Sequence, residues 1–167
     1  AYYHATSGLF NYVTFSNNSI KKAYIGVYAL SAIAAGNGSV NMSNNDLSTA
    51  GADAVTLAGL YAQGTDGAVI QNNTIGNFNT TPAYARRGVW IATGTVNSKI
   101  RGNTISNLVA GSAAGNGAVG ILVSSGNTGA LLNTNNVIEG NTISGLTSGS
   151  TSIVAGIQIS GTAAAST

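Results

Sequence analysis

The sequence predicts an all-β solenoid, a chain wound into stacked parallel coils. Three observations carry this. A short motif (apolar, polar, Gly or Asn, Asn, small polar, apolar) recurs five times; a second apolar strand motif follows each copy; and Gly, Asn, Ser and Thr fill most of the polar positions in place of charge. A repeat of this kind sets the architecture before any single segment is considered.

The motif copies align on an asparagine: Asn18, Asn45, Asn73, Asn103 and Asn141, at steps of 27, 28, 30 and 38 residues. Three positions before each stands Phe15, Met42, Ile70, Ile100 or Ile138, and two positions after stands Ile20, Leu47, Ile75, Ile105 or Ile143. Five positions after come Ala23, Ala50, Phe78, Leu108 and Leu146. Columns that stay apolar in every copy are expected to face inward. The residue before each aligned asparagine is Asn17, Asn44, Asn72, Gly102 or Gly140. Only these two residue types enter the left-handed backbone region at low cost, so the chain is expected to bend sharply there. The aligned asparagine is expected to face in and to bond to its equivalents in neighbouring coils. Such a ladder satisfies amides whose unpaired burial costs about 1–3 kcal/mol each.

The second strand motif is expected at Gly26 to Leu30, Ala54 to Ala58, Gly88 to Ala92, Gly120 to Ser124 and Gly156 to Ser160, with Ala1 to Thr6 as an opening copy. Alternation turns Val27, Val55, Val89, Ile121 and Ile157 inward, together with Ala29, Leu57, Ile91, Val123 and Ile159. It turns Tyr3, Tyr28, Thr56, Trp90, Leu122 and Gln158 outward. The reading gives five coils of three short strands, with long loops at 79–87, 109–119 and 147–155. Neither end carries a recognisable cap. Residues 1–167 are therefore expected to be one segment of a longer solenoid, or a subunit that associates end to end through open strand edges.

Of the 167 residues, 44% are hydrophobic and only 6% charged. That balance argues against disorder, which needs low hydrophobicity and high net charge. Six bases against four acids give a net charge of +2, too weak for a nucleic-acid footprint. There is no cysteine, which excludes disulfides and thiolate metal sites. No apolar run reaches the roughly 18 residues of a membrane span. The chain does not begin with Met, so a leader is expected to have been removed, or the chain cut from a longer one.

The Asn motif with its preceding Gly/Asn bend resembles the right-handed parallel β-helix repeat of the pectate lyase-like superfamily, over nearly the whole chain. The resemblance implies three strands per coil, with the ladder at the bend between the second and third strands. It leaves function open, because the superfamily spans lyases, polygalacturonases, epimerases, phage tailspikes and adhesins. The pattern Ile-Xaa-Gly-Asn-Thr-Ile-Ser with Ser/Thr/Gly-rich loops is most similar to repeats of large secreted bacterial surface proteins.

Lyases of this superfamily bind substrate along the outer face of the first strand and need acids and bases there. The corresponding outward column here carries none. The four acids are Asp46, Asp53, Asp66 and Glu139. Asp53 and Asp66 fall in loops of one coil and are the pair to consider for glycoside chemistry, which needs carboxyls about 5–10 Å apart; Asp66-Gly67 also reads simply as a turn. His4, the one histidine, falls on an inward column and is expected to be packed or end-exposed. Arg86 and Arg87 close a long loop and read as solvated charges.

The candidate ligand face is aromatic: Tyr3, Tyr28 and Trp90 in one column, with Tyr84, Arg86 and Arg87 nearby, suited to stacking on sugar rings. The alternative is that these rings fill the pleat and stabilise the sheet. The outward column Ser19, Asp46, Thr74, Thr104 and Thr142 is too interrupted for an ice-binding array. The expectation is a non-catalytic structural and adhesive segment of a secreted or cell-surface protein. It is expected to need no cofactor or metal, and to associate with flanking coils or with itself. The alternative is a carbohydrate-binding or polysaccharide-degrading module using the Tyr28–Trp90 face.

Overall fold

A computed structural model describes residues 10–31, 38–79, 84–113, 115 and 117–161. Tyr3, His4 and the opening strand copy lie outside the described residues. Every strand pairing in the register is parallel, and three sheets run along the axis of the solenoid.

The first sheet stacks β1 (Val13–Ser16), β3 (Val40–Ser43), β6 (Val69–Gln71), β9 (Lys99–Arg101) and β12 (Val137–Glu139). The second contains β4 (Asp46–Leu47), β7 (Thr74–Asn79), β10 (Thr104–Ala110) and β13 (Thr142–Ser144), with β14 (Thr147–Ser148) also on β10. The third stacks β2 (Ile25–Leu30), β5 (Ala58–Gln63), β8 (Arg86–Ile91), β11 (Ala118–Ser125) and β15 (Val154–Gly161). From β1 to β12 the chain makes about four turns, slightly fewer complete coils than the sequence suggests. In the opening coil the second-sheet strand is reduced to a single bridge from Ser19 to Asp46.

The bend between the first two sheets forms as the repeat predicts. Asn17, Asn44, Asn72, Gly102 and Gly140 all sit at φ of 55–62°. The asparagines that follow turn inward and form a continuous ladder. Their amide-to-amide bonds run Asn18 to Asn45 at 2.8 Å, Asn45 to Asn73 at 3.0 Å, Asn73 to Asn103 at 2.9 Å and Asn103 to Asn141 at 2.9 Å. The second amide hydrogen of Asn45, Asn73, Asn103 and Asn141 goes to the carbonyl of Phe15, Met42, Ile70 and Ile100 in the preceding coil.

The core is a column of side chains from all three sheets. Met42, Leu47, Leu60, Ile70, Ile75, Phe78, Val89, Ile91, Ile100, Ile105, Leu108 and Ile121 are fully buried, each worth about 1.5–3 kcal/mol for the large side chains. The interior narrows where the third sheet begins. A Cβ at Gly88 would sit 2.6 Å from the Gly120 carbonyl and 2.6 Å from Ile105 Cγ2, so the column of glycines there is a steric requirement. In the last described coil Ile157 and Ile159 keep the inward register of Ile121 and Val123 but are 50% and 76% exposed.

Three expectations are corrected. The third-sheet strand of the second coil is Ala58–Gln63, with Leu60 beside Val27 and Tyr61 beside Tyr28. The apolar run at Ala54–Leu57 mimics that strand; in fact it follows a 3-10 turn at Gly51–Asp53 that delays the strand by five residues. Val55 is buried all the same. Ala50 is exposed, unlike Phe78 and Leu108 in its expected column. In those later coils a second left-handed residue, Asn77 or Asn107, redirects the chain inward; the second coil has none at the equivalent Thr49. The long loops are also shorter than read, because β7 runs to Asn79, β10 to Ala110, and β8 already begins at Arg86.

Candidate functional site

The outer face of the third sheet carries the one concentration of aromatic side chains the sequence singles out. Strand alternation turns Tyr28, Tyr61, Trp90, Leu122 and Gln158 outward in one register column. Tyr61 stands where Thr56 was expected. It joins its neighbours into a continuous stack: Tyr28 and Tyr61 lie 4.6 Å apart and 23° from parallel, and Tyr61 meets Trp90 edge-on at 5.1 Å and 78°. Both separations fall in the attractive range for ring pairs, worth about 0.5–1.5 kcal/mol each. The polar ends are tied down. Trp90 Nε1 donates to Ser124 Oγ at 2.8 Å, and the Tyr61 hydroxyl donates to Gln63 Oε1. Exposure is uneven: Tyr28 is 50% exposed and Trp90 half-buried, while Tyr61 retains 8%. The rings thus both stabilise the sheet and leave an open edge at Tyr28 and Trp90.

Tyr84 belongs to a different group. It packs edge-on against Tyr24 at 5.5 Å and 86°, with the Arg86 guanidinium carbon 6.0 Å from its ring centre. Arg86 is fully buried, against the expectation of a solvated loop charge, because it lies inside β8 and not in the loop before it. Burial pushes its pKa down, with Tyr24 and Tyr84 pulling the other way. A side chain with no accessible surface cannot reach a surface ligand, so Arg86 leaves the candidate contact set. Arg87 is only half-buried; burial lowers its pKa as well. Its Nη1 donates to the carbonyls of Arg86 and Gly117, both at 2.9 Å.

No carboxylate joins the aromatic column. Asp53 sits in the 3-10 turn before β5 and Asp66 in the turn after it, so the six residues of β5, roughly 20 Å of strand, separate them. Asp66 accepts from Asn97 Nδ2 at 2.7 Å. Asp46 accepts from the hydroxyl and backbone N–H of Ser48; the hydroxyl bond is the largest cause of its lowered pKa. Among the described residues no group of three or more His, Asp or Glu comes together to hold a metal, and no helix is long and apolar enough to cross a membrane.

A second ladder escaped the sequence reading. At the corner between the third and first sheets, Ala68 N donates to Ser98 Oγ at 3.1 Å, and Ser98 N to Asn136 Oδ1 at 3.0 Å. Asn136 Nδ2 returns to the Thr95 carbonyl at 2.8 Å. The pattern repeats the Asn ladder with mixed residue types. Its signal in the sequence is the three-residue spacing shared by Thr65/Ala68, Thr95/Ser98 and Asn133/Asn136.

Three parallel sheets, a left-handed bend and an inward Asn ladder define a β-solenoid of the pectate lyase-like type. The family model described as the right-handed beta helix region matches residues 3–166, and the chain belongs to that family. No curated protein and no solved structure matches it.

Proposed function

We propose that this chain is a non-catalytic structural and adhesive β-helix segment of a secreted or cell-surface bacterial protein. The observation that carries the proposal is the outer face of the third sheet. It presents stacked aromatic rings with an open edge at Tyr28 and Trp90 and no acid with which to cleave what it holds. The sparsely charged surface and Ser/Thr/Gly-rich loops, similar to those of large secreted surface proteins, support the setting. Flanking coils of the same polypeptide, or other copies of the chain, are the partners this reading assigns to the strand edges.

The ring stack also favours a definite kind of contact, that of a polysaccharide laid along the column with its sugar faces on Tyr28 and Trp90. The Tyr28→Ala variant tests this, since Tyr28 is half exposed and its loss leaves the core intact. Retention on insoluble polysaccharides is expected to fall at least tenfold. Unchanged retention would reject this face as the contact.

A further inference from the structure

The two ends of the solenoid carry complementary halves of the contact that joins its coils. Inside the chain each step from coil to coil repeats one pattern. The bend residue and the ladder asparagine donate their N–H groups forward, as Gly102 does to the Glu139 carbonyl at 3.3 Å and Asn103 to Asn141 Oδ1 at 3.0 Å. The residue after the asparagine donates back, as Thr142 does to the Asn103 carbonyl at 2.9 Å. Among the described residues, the last coil leaves the N–H groups of Gly140 and Asn141 and the Asn141 carbonyl without partners. The first coil leaves open the opposite set: the Ser16 carbonyl, Asn18 Oδ1 and the Ser19 N–H. In the register the chain already uses, each open donor of one end faces an open acceptor of the other.

Burial and charge agree with this match. Asn45, Asn73 and Asn103 are buried, while Asn18 is exposed and Asn141 half-buried. The apolar columns that begin with Phe15 and Ala29 end in Ile138 and Ile159. Ile159 is 76% exposed. At the other end Phe10, Val13, Phe15, Tyr28, Ala29 and Leu30 line an apolar opening of about 260 Å3. The described part of the first coil, Phe10 to Ser31, carries Lys21 and Lys22 and no acid; the last coil, Leu132 to Gly161, carries Glu139 and no base. Opposite charge favours unlike ends meeting over like ends.

We propose that the edge formed by β12, β13 and β15 binds the first coil of a second copy of this chain, head to tail. Asn141 N–H then donates to Asn18 Oδ1, and Ile159 enters the opening lined by Phe10, Val13 and Phe15. The inference rests on the reading that copies of the chain meet at its strand edges. A contact between two different surfaces does not close on itself, so it builds a linear filament rather than a dimer.

The test is sedimentation velocity of the full chain over a concentration series, without polysaccharide. The mean mass of the parent is expected to rise with concentration past that of a dimer. Ile159→Asp disables one end, and Ser19→Pro the other by removing the N–H that meets the Asn141 carbonyl. Each is expected to weaken association at least about tenfold with its denaturation midpoint unchanged, since Ile159 is largely exposed and no described residue accepts from Ser19 N. Mixed in equal amounts, the two variants are expected to form a dimer and nothing larger, because each keeps one working end. Growth of the parent that stops at a dimer, or a mixture that stays monomeric, would overturn the head-to-tail order alone. A parent that stays monomeric would overturn the meeting of copies as well, and leaves the Tyr28–Trp90 contact untouched.

Discussion

Asn73 and Asn103 are joined twice: Asn103 Oδ1 accepts the backbone N–H of Asn73 at 3.0 Å and its side-chain amide at 2.9 Å. One oxygen therefore closes both the main-chain bend and the side-chain ladder. The same pair of hydrogen bonds links Asn18 to Asn45, Asn45 to Asn73 and Asn103 to Asn141, so the ladder has one direction along the whole solenoid.

Replacing Asn103 by Leu tests the ladder. The substitution keeps the branching of the side chain and removes every bond the amide makes. It orphans the Asn73 N–H and takes the amide donor from the Ile70 carbonyl in a fully buried site, while Asn141 Oδ1 keeps the backbone N–H of residue 103. At about 1–3 kcal/mol for each unsatisfied group, the loss is expected to exceed about 2 kcal/mol, read as a lowered midpoint in denaturant. A variant as stable as the parent would mean that the ladder contributes nothing net.

The ladder was legible because its copies share residue types at nearly fixed spacing, and every copy places Asn or Gly at the bend before it. The aromatic column was only half legible. Tyr28 and Trp90 align on a preceding glycine, and so does Tyr61 after Gly59. The apolar decoy Ala54–Leu57, however, stood at the expected distance from Asn45, and a loop extended by a 3-10 turn has no signature as strong as the bend. Arg86 was misplaced for a related reason. Charge in a low-complexity stretch looks solvated, and only the pairing of Ala118 with Arg86 places it within the sheet. The Ser98–Asn136 ladder was hidden because Ala, Ser and Asn share its column, so no residue identity repeats.

The glycine column makes a second prediction. Gly88→Ala forces a methyl group to within 2.6 Å of the Gly120 carbonyl and of Ile105, and neither backbone nor a buried isoleucine yields easily. Overpacking of this kind costs about 1–3 kcal/mol. Thermal denaturation is expected to show the loss, and an unchanged midpoint would mean that the neighbouring coil shifts freely.

Asp46 gives a pH dependence of known sign. Its folded pKa is held below the ordinary carboxylate value by the Ser48 hydroxyl first, then by the Ser48 N–H, with a smaller contribution from Lys21. The stability it supplies is fully present above the unfolded pKa of about 4 and is lost as pH falls through the lower folded value. The side chain is largely exposed, so the effect is small and screened by salt. Comparing urea midpoints of the parent and Asp46→Ala, the parent's advantage at pH 7 should shrink steadily below pH 4. A gap that stays constant down to pH 2 would remove Asp46 from the account.

The ring stack predicts a division between binding and folding. Trp90→Ala removes an edge-on partner of Tyr61 and the bond to Ser124, so both stability and ligand contact should fall. Tyr28→Ala should lose contact while keeping its denaturation midpoint within about 1 kcal/mol. Equal losses of stability in the two variants would show that Tyr28 is as much a packing residue as Trp90.

The most direct measurement is to incubate the purified chain with a panel of polysaccharides and record two quantities from the same samples: the fraction of protein retained, and the new reducing or unsaturated ends released. The account predicts retention on at least one polysaccharide, reduced in Tyr28→Ala, with no new ends above the level of a protein-free control. Release of new ends by the parent chain would contradict it, because a catalytic centre would then have to exist where no acid stands beside the Tyr28–Tyr61–Trp90 column.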